Sequence, residues 1–255
     1  MSSIGRRQQI IAYLQKKHEV TVAELSKMFY VSETTIRRDL DKLDRLGFIE
    51  KIYGGAVLIQ GENSVLPLTS RERQFWEEKT IIAQTAADLV NHGDVVFLDS
   101  SSTALAMAPF LARRSNVTVI TNSIKTSAVL TEFADIKVYC SGGRIVPNTY
   151  SCNGSYTCKM LLSIHANLCF ISPKAVHLTS GVFCSDEEEG ELRRVMIKQS
   201  DRSVLLCNTA KLHQYANFYL CGLDQIDTII CEKKPNESWL NCFAQNNIHF
   251  IEAGT

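Results

Sequence analysis

Residues 32–46 read SETTIRRDLDKLDRL. Ile36, Leu40, Leu43 and Leu46 recur at helical spacing and predict one apolar stripe on an amphipathic helix. At about 100° per residue, Thr34, Arg38, Asp41 and Arg45 fall on the opposite side. Ser32 is a natural N-cap, because its hydroxyl can accept from an orphan N–H of the first turn. The start of the helix therefore carries Thr34, Thr35, Arg37 and Arg38, short polar and cationic groups at the end that a recognition helix places in the major groove. A solvated surface helix would also carry charges, so the flanking sequence decides.

Upstream, residues 4–17 predict a first helix with Ile10, Ile11 and Leu14 on its stripe. Thr21-Val22-Ala23-Glu24 is a capping box that opens a short second helix through Leu25 and Phe29. Tyr30-Val31 then connects tightly to Ser32, which is the helix-turn-helix pattern. Downstream, Gly47 stands as a C′ glycine. The β-leaning runs 48–53 and 56–59, on either side of Gly54-Gly55, predict a hairpin. Three helices and a hairpin make a winged helix. Its expected DNA contacts are Ser32, Thr34, Thr35, Arg37, Arg38 and Lys42 on the helix, with Lys51 and Tyr53 of the wing against the sugar–phosphate backbone. Arg37 has an alternative partner in Asp41 one turn on, and the alternative for Lys51, which the wing's place beside the helix disfavours, is a solvated hairpin residue. Asp39 lies near the apolar stripe and is expected to brace the helix.

The whole chain of 255 residues is electrically balanced, with 27 basic and 27 acidic side chains. Its halves are not. Residues 1–59 hold ten Lys/Arg and seven Asp/Glu, a net of +3, which leaves −3 for the remainder. A basic N-terminal module on an acidic body is the direction that DNA binding requires. No apolar run is long enough for a membrane span, and the N-terminus does not read as a signal peptide. The nine cysteines all follow residue 139, without C-x-x-C pairs, mostly inside apolar runs. They are expected to be buried free thiols of a cytoplasmic protein. No metal site and no cofactor are expected.

Residues 60–76 lack a clean period and are expected to link residues 1–59 to a second domain over 77–255. From Glu77, apolar strands (95–99, 117–121, 137–140, 168–171, 204–207 and 228–231) alternate with helices. That alternation predicts a doubly wound, mainly parallel sheet, a Rossmann-like α/β domain. Ligands of such sheets sit beyond the carboxyl ends of the strands. Three of those ends carry small, donor-rich loops: Asp99-Ser100-Ser101-Ser102-Thr103, Thr121-Asn122-Ser123 and Ser141-Gly142-Gly143. Hydroxyls and free N–H groups at helix starts suit an anion, although Ser and Thr also cap helices for their own sake. There is no GxGxxG and no Walker-type loop, so dinucleotides and nucleoside triphosphates are not expected.

Arg6, Ile10, Leu14, the run Ser32-x-x-Thr35-Ile36-Arg37-Arg38-Asp39-Leu40 and the Gly-Gly hairpin resemble the N-terminal signature of the DeoR family of bacterial transcriptional regulators. The second half resembles that family's effector domain, related in fold to ribose-5-phosphate isomerase. The matching pieces are Phe97-Leu98-Asp99-Ser100 with Thr103, Thr121-Asn122-Ser123, Ser141-Gly142-Gly143-Arg144, the acidic helix from Asp186 into Arg193-Arg194, and Asn208-Thr209-Ala210-Lys211. The resemblance implies double-stranded operator DNA as one partner and a phosphorylated sugar as effector. It places Asp99, Ser100, Ser102, Thr103, Asn122 and Lys211 in the effector pocket, with Lys211 as a point charge on phosphate. Two positions depart from the family. Ser172-Pro173-Lys174-Ala175 replaces a Gly-Ala-Asp-Gly-like loop, and Asn208 stands where Asp is usual. Lys174 either adds a contact to a more anionic ligand or is a solvated loop lysine; the sequence favours neither.

The expected function is thus a repressor of a carbohydrate operon, released by a phosphorylated sugar, and not an enzyme. The alternative is a sugar-phosphate isomerase with a DNA-binding appendage. Isomerisation needs a positioned general base, and only Asp186 to Glu189 offer spare carboxylates, which read more simply as charges at a helix N-terminus. Because a single winged helix covers little DNA, a homodimer or homotetramer is expected.

Overall fold

The computed structural model describes residues 3–17, 19–45, 48–58 and 66–254. The chain divides into two compact units, 1–67 and 68–255.

In the first unit, α1 (Ser3–Lys17), β1 (Glu19–Thr21), α2 (Val22–Phe29), α3 (Glu33–Arg45), β2 (Ile49–Ile52) and β3 (Gly55–Leu58) follow in order. Thr21 caps α2 by accepting from Glu24 N–H at 3.1 Å. Ser32 caps α3 by accepting from Thr35 N–H at 3.3 Å. The stripe on α3 is buried at Ile36, Leu40 and Leu43, packed with Ile10, Leu14 and Leu25; Leu46 and Gly47 lie outside the described residues. The three strands form a small antiparallel sheet in the order β1-β3-β2. The wing turns at Tyr53-Gly54 rather than at Gly54-Gly55, because Ile52 pairs with Gly55. Gly54 takes the left-handed turn position, with φ of +81°. Gly55 is required by crowding, since a Cβ there would fall 2.2 Å from the Val20 carbonyl oxygen on β1. The sequence pattern did not anticipate β1, which is too short to show a period.

The second unit opens with α4 (Leu68–Arg73), inside the stretch expected to be linker, and α5 (Trp76–Asp88). There follow β4 (Val95–Leu98), α6 (Ser102–Leu111), β5 (Val117–Thr121), α7 (Ile124–Leu130), β6 (Ile136–Cys140), β7 (Arg144–Val146), β8 (Ser151–Asn153), α8 (Ser155–Leu162) and β9 (Ala166–Ile171). The chain continues with β10 (Ala175–His177), β11 (Gly181–Cys184), α9 (Glu187–Lys198), β12 (Ser200–Leu206), β13 (Phe218–Cys221), β14 (Thr228–Cys231), α10 (Glu237–Gln245) and β15 (His249–Glu252). Seven strands make one parallel sheet in the order β15-β14-β12-β9-β4-β5-β6. Its strands read as continuous apolar runs because both faces are covered. Val96 and Leu98 point into a core with Ile82, Ala86, Met107 and Leu111, while Phe97 points into the other, with Leu161, Leu192, Met196 and Phe243.

From β4 the chain builds outward through β5 and β6, then returns to β9 on the other side of β4. The loops leaving β4 and β9 therefore diverge, and the crevice beyond their carboxyl ends is where a doubly wound sheet holds its ligand. Three elements went unanticipated: the edge strand β15, the β10-β11-β13 sheet and the β7-β8 hairpin. All nine cysteines are free, and seven are buried; burial pushes the Cys169 thiol up to about 12. No helix among the described residues is long and apolar enough to cross a membrane.

Candidate functional site

On the first unit, α3 presents Thr34, Arg37, Arg38 and Lys42 to solvent, with Thr35 half-buried. Its inner side is fixed by Asp39, which is buried and accepts from Arg6 Nε at 2.6 Å and Arg7 Nη1 at 3.2 Å. That pairing ties α3 to α1 and gives Asp39 the bracing role expected of it. Arg37 pairs with Glu33 at 3.1 Å rather than with Asp41. Asp41 instead receives Lys51 Nζ from the wing at 2.5 Å, and Lys51 N–H reaches Asp44 at 3.3 Å. The wing is thus fastened to the recognition helix through two carboxylates. Arg38 and Lys42 make no ion pair among the described residues. Tyr53 stands fully exposed at the wing tip. Tyr30, read in the sequence only as part of the connection, is 93% exposed in the turn before α3, with a left-handed φ of +54°.

On the second unit, Asp99 follows β4 and is the hub of the crevice. Its Oδ1 accepts from Ser101 N–H at 3.0 Å, and its Oδ2 from Ser172 N–H at 3.0 Å and Arg193 Nε at 2.8 Å. Arg193, buried on α9, also donates to Glu189 at 2.8 Å. Ser172, which follows β9, accepts from Lys211 Nζ at 2.8 Å and lies 3.2 Å from the Thr103 hydroxyl. One hydrogen-bonded chain, Glu189–Arg193–Asp99–Ser172–Lys211, therefore spans the divergence of β4 and β9.

Two more cations lie close enough to feel it. Burial lowers the Lys79 pKa to about 7, helped by Lys211 and Arg71. Burial lowers Lys211 to about 8, with Cys207 opposing and Arg193 adding to the shift. Burial also lowers Arg71 on α4, against the pull of Glu189. Lys79 Nζ donates to the Arg71 carbonyl and, at 2.7 Å, to the Gln74 carbonyl, and so holds the end of α4. Glu72 is taken by Lys125 at 2.5 Å. Arg71 and Arg193 thus feel both Asp99 and Glu189, and Lys211 feels Asp99, while Lys79 lies nearest Lys211 and Arg71, with Glu78 and Glu72 as its opposing charges.

The other expected residues divide by what they already bond. Ser101 and Ser123 cap α6 and α7, each accepting at 3.1 Å. Thr121 Oγ1 accepts from Ser123 N–H at 3.1 Å. Ser100 and Asn122 are buried side by side, Asn122 Nδ2 donating to Ser100 Oγ at 3.4 Å, and Ser102 is buried beside them in sequence. Gly142-Gly143 packs against the start of α8. Thr157 donates to the Gly142 carbonyl at 2.7 Å, and a Cβ on Gly143 would meet Thr157 Oγ1 at 2.2 Å. Lys174 is exposed, and no hydrogen bond joins its side chain to the cluster among the described residues. Of the acidic run, Asp186 caps α9 at 3.0 Å, Glu188 pairs with Arg144 and Glu189 with Arg193. No group of residues suited to a metal ion occurs among those described.

A winged helix with an exposed cationic reading helix, joined to an α/β unit with a cation-lined crevice, defines a ligand-sensing transcriptional regulator. The comparisons with known proteins give the family. Residues 6–62 match the DeoR-like helix-turn-helix domain, and residues 74–233 match the DeoR C-terminal sensor domain. The chain is 35% identical over 238 residues to the HTH-type transcriptional regulator GolR of Listeria innocua, covering 93% of this chain and 94% of that one. It is 30% identical over 242 residues to the HTH-type transcriptional repressor GlcR of Bacillus subtilis, covering 95% and 93%. Among solved structures, ribose 5-phosphate isomerase A from Methanocaldococcus jannaschii matches 54% of this chain and 55% of its own, at 17% identity and a TM-score of 0.41. The chain belongs to the DeoR family of transcriptional regulators.

Proposed function

We propose that this regulator represses a carbohydrate operon from the cytoplasm, and that a phosphorylated sugar bound in the sensor domain releases it from its operator. The observation that supports the effector class is the gathering of Arg71, Lys79, Arg193 and Lys211 at the divergence of β4 and β9, where each lies within electrostatic reach of another. Two lysines there have given up part of their hold on a proton. A phosphate dianion restores the balance, and a neutral sugar does not. Arg71, Lys79, Arg193 and Lys211 supply the charge, and the loops at 99–103, 121–123 and 142–143 enclose the sugar, with Lys174 at the margin. On the DNA side, Arg37 and Lys51 are held by exposed carboxylates. Such pairs are worth about 1 kcal/mol or less and exchange readily for phosphate. Arg38 and Lys42 face the groove directly. The chain acts as a homodimer or homotetramer, so that two recognition helices meet two half-sites.

The test is a thermal-shift series on the full chain, with phosphorylated sugars against their unphosphorylated parents. A ligand at 100 times its Kd adds about 2.7 kcal/mol of stability. A shift with a phosphorylated sugar alone is expected; equal shifts with the parents, or none with either, would refute the effector class. Sedimentation at micromolar concentration with and without DNA checks the assembly, and a monomer under both conditions would contradict it.

A further inference from the structure

Three asparagines, Asn122 and Asn208 just after β5 and β12 and Asn153 at the end of the β7–β8 hairpin, are nearly inaccessible and incompletely bonded. Asn122 is 2% exposed, Asn153 4% and Asn208 4%. The Oδ1 of each has no hydrogen-bond partner, and Asn208 Nδ2 has none either. A buried amide without partners is costly. These are not loose loops. Asn122 Nδ2 donates to the Cys152 carbonyl at 3.3 Å, an atom that can only accept, so its amide orientation is fixed and its oxygen is the orphan. Asn153 ends β8 opposite Arg144. Asn208 follows β12, its carbonyl receives Lys211 N–H at 3.0 Å, and the next residue, Thr209, is clamped through its N–H by Glu232 at 2.9 Å.

Their placement divides the crevice. Asn122 and Asn153 lie on the β5 side, with Ser100, while Asn208 lies on the β12 side, three residues before the cation that bonds Ser172. What the three oxygens lack is a donor. A phosphate dianion offers only acceptors, so the cations satisfy it and these oxygens cannot.

We infer that Asn122, Asn153 and Asn208 form a hydroxyl-reading subsite that accepts from the free hydroxyl groups of a polyhydroxylated ligand. This rests on the sensor reading above and adds to it: the charge selects the phosphate, and the carboxamides select the polyol that carries it. Asn208 Nδ2 donates in turn to a ligand oxygen, so the pair of atoms suits a hydroxyl, which both gives and takes one bond.

Among the described residues, the side chains of Asn153 and Asn208 donate to no protein group that a truncation would strand, which makes the test clean. Calorimetric titration of the full chain would use a panel of five- and six-carbon aldose, ketose and polyol phosphates, with methyl phosphate as the hydroxyl-free probe. N153A and N208A should each weaken the best-binding sugar phosphate by about tenfold, the size of one lost hydrogen bond in a buried site. Methyl phosphate binding should not change. The ligand-free Tm should hold or rise, because an unsatisfied amide has been removed. Equal loss for methyl phosphate, or no loss for any ligand, would overturn the subsite while leaving the phosphate reading intact. Methyl phosphate binding as tightly as every sugar phosphate would overturn it too. If no phosphomonoester binds at all, the sensor reading falls and takes the subsite with it.

Discussion

The recognition helix and the sensor crevice use the same chemical parts, arginine and lysine set against carboxylates, and put them to opposite ends. On α3 and the wing, Glu33–Arg37 and Asp41–Lys51 lie in solvent. Water screens them, so each holds its cation in place without claiming it. In the crevice, Asp99 and Arg193 are both about 3% exposed or less, and every oxygen of Asp99 is engaged. That pair sets the shape of the crevice, and on the proposed reading the lysines beside it are what a ligand meets. Burial separates the exposed ion pairs of α3 and the wing from the pair at the centre of the crevice.

The sharpest way to break this contrast is at the buried pair. Asp99→Ala should strand Arg193 and cost about 3–5 kcal/mol in urea unfolding of the sensor unit. Glu33→Ala, its exposed counterpart, should cost less than about 1 kcal/mol. Similar costs would erase the distinction. Next in size is Arg38→Ala, expected to weaken binding to a preferred DNA sequence by about 1–3 kcal/mol if it reads a base. Equal loss on random DNA would assign Arg38 to phosphate.

The pH dependence sharpens the crevice side. Lys79 and Lys211 lie near 7 and 8, below their usual 10.5. Between those values the unfolded chain binds more protons than the folded one, so their contribution makes the free protein more stable as pH rises from 7 towards 10. A dianion holds both lysines charged. Its binding therefore takes up protons, and its affinity should fall as pH climbs through 7 to 9. Calorimetry in buffers of different ionisation enthalpy measures that uptake; pH-independent affinity would contradict it. The smallest effect concerns Lys51→Ala, which should lower DNA affinity evenly across sequences and reduce the salt slope by about 1.

The DNA-binding half was largely legible because its signals are local. The stripe on α3, the Ser32 and Thr21 caps and the Gly-rich hairpin each declare themselves within a few residues. The wing turn was misplaced by one residue, because the crowding that demands Gly55 comes from Val20, far back in the chain. The parallel strands were legible as apolar runs, whereas β15 is a half-exposed edge strand with no such run. In the crevice, the strand-end loops were found but their division of labour was not. Several of their hydroxyls serve caps, and the charge comes from Arg71, Lys79 and Arg193. Arg193 meets Asp99 across 94 positions of sequence, a distance at which no spacing rule operates. Asn153 gave no chemical signal and Asn208 showed only as a departure from the family's usual Asp, since an unsatisfied amide is visible only once its surroundings are known.

The central claim is that a ligand in the crevice changes the hold on DNA. The direct measurement is fluorescence anisotropy of the full chain on a duplex that it has itself selected from random sequence. The duplex would be titrated with protein in the absence and presence of the sugar phosphate giving the largest thermal shift. Coupling predicts a DNA affinity lowered by about 5- to 150-fold, with the ligand's affinity lowered by the same factor when DNA is bound. An identical DNA affinity at saturating ligand would contradict the account, whatever the ligand does to stability.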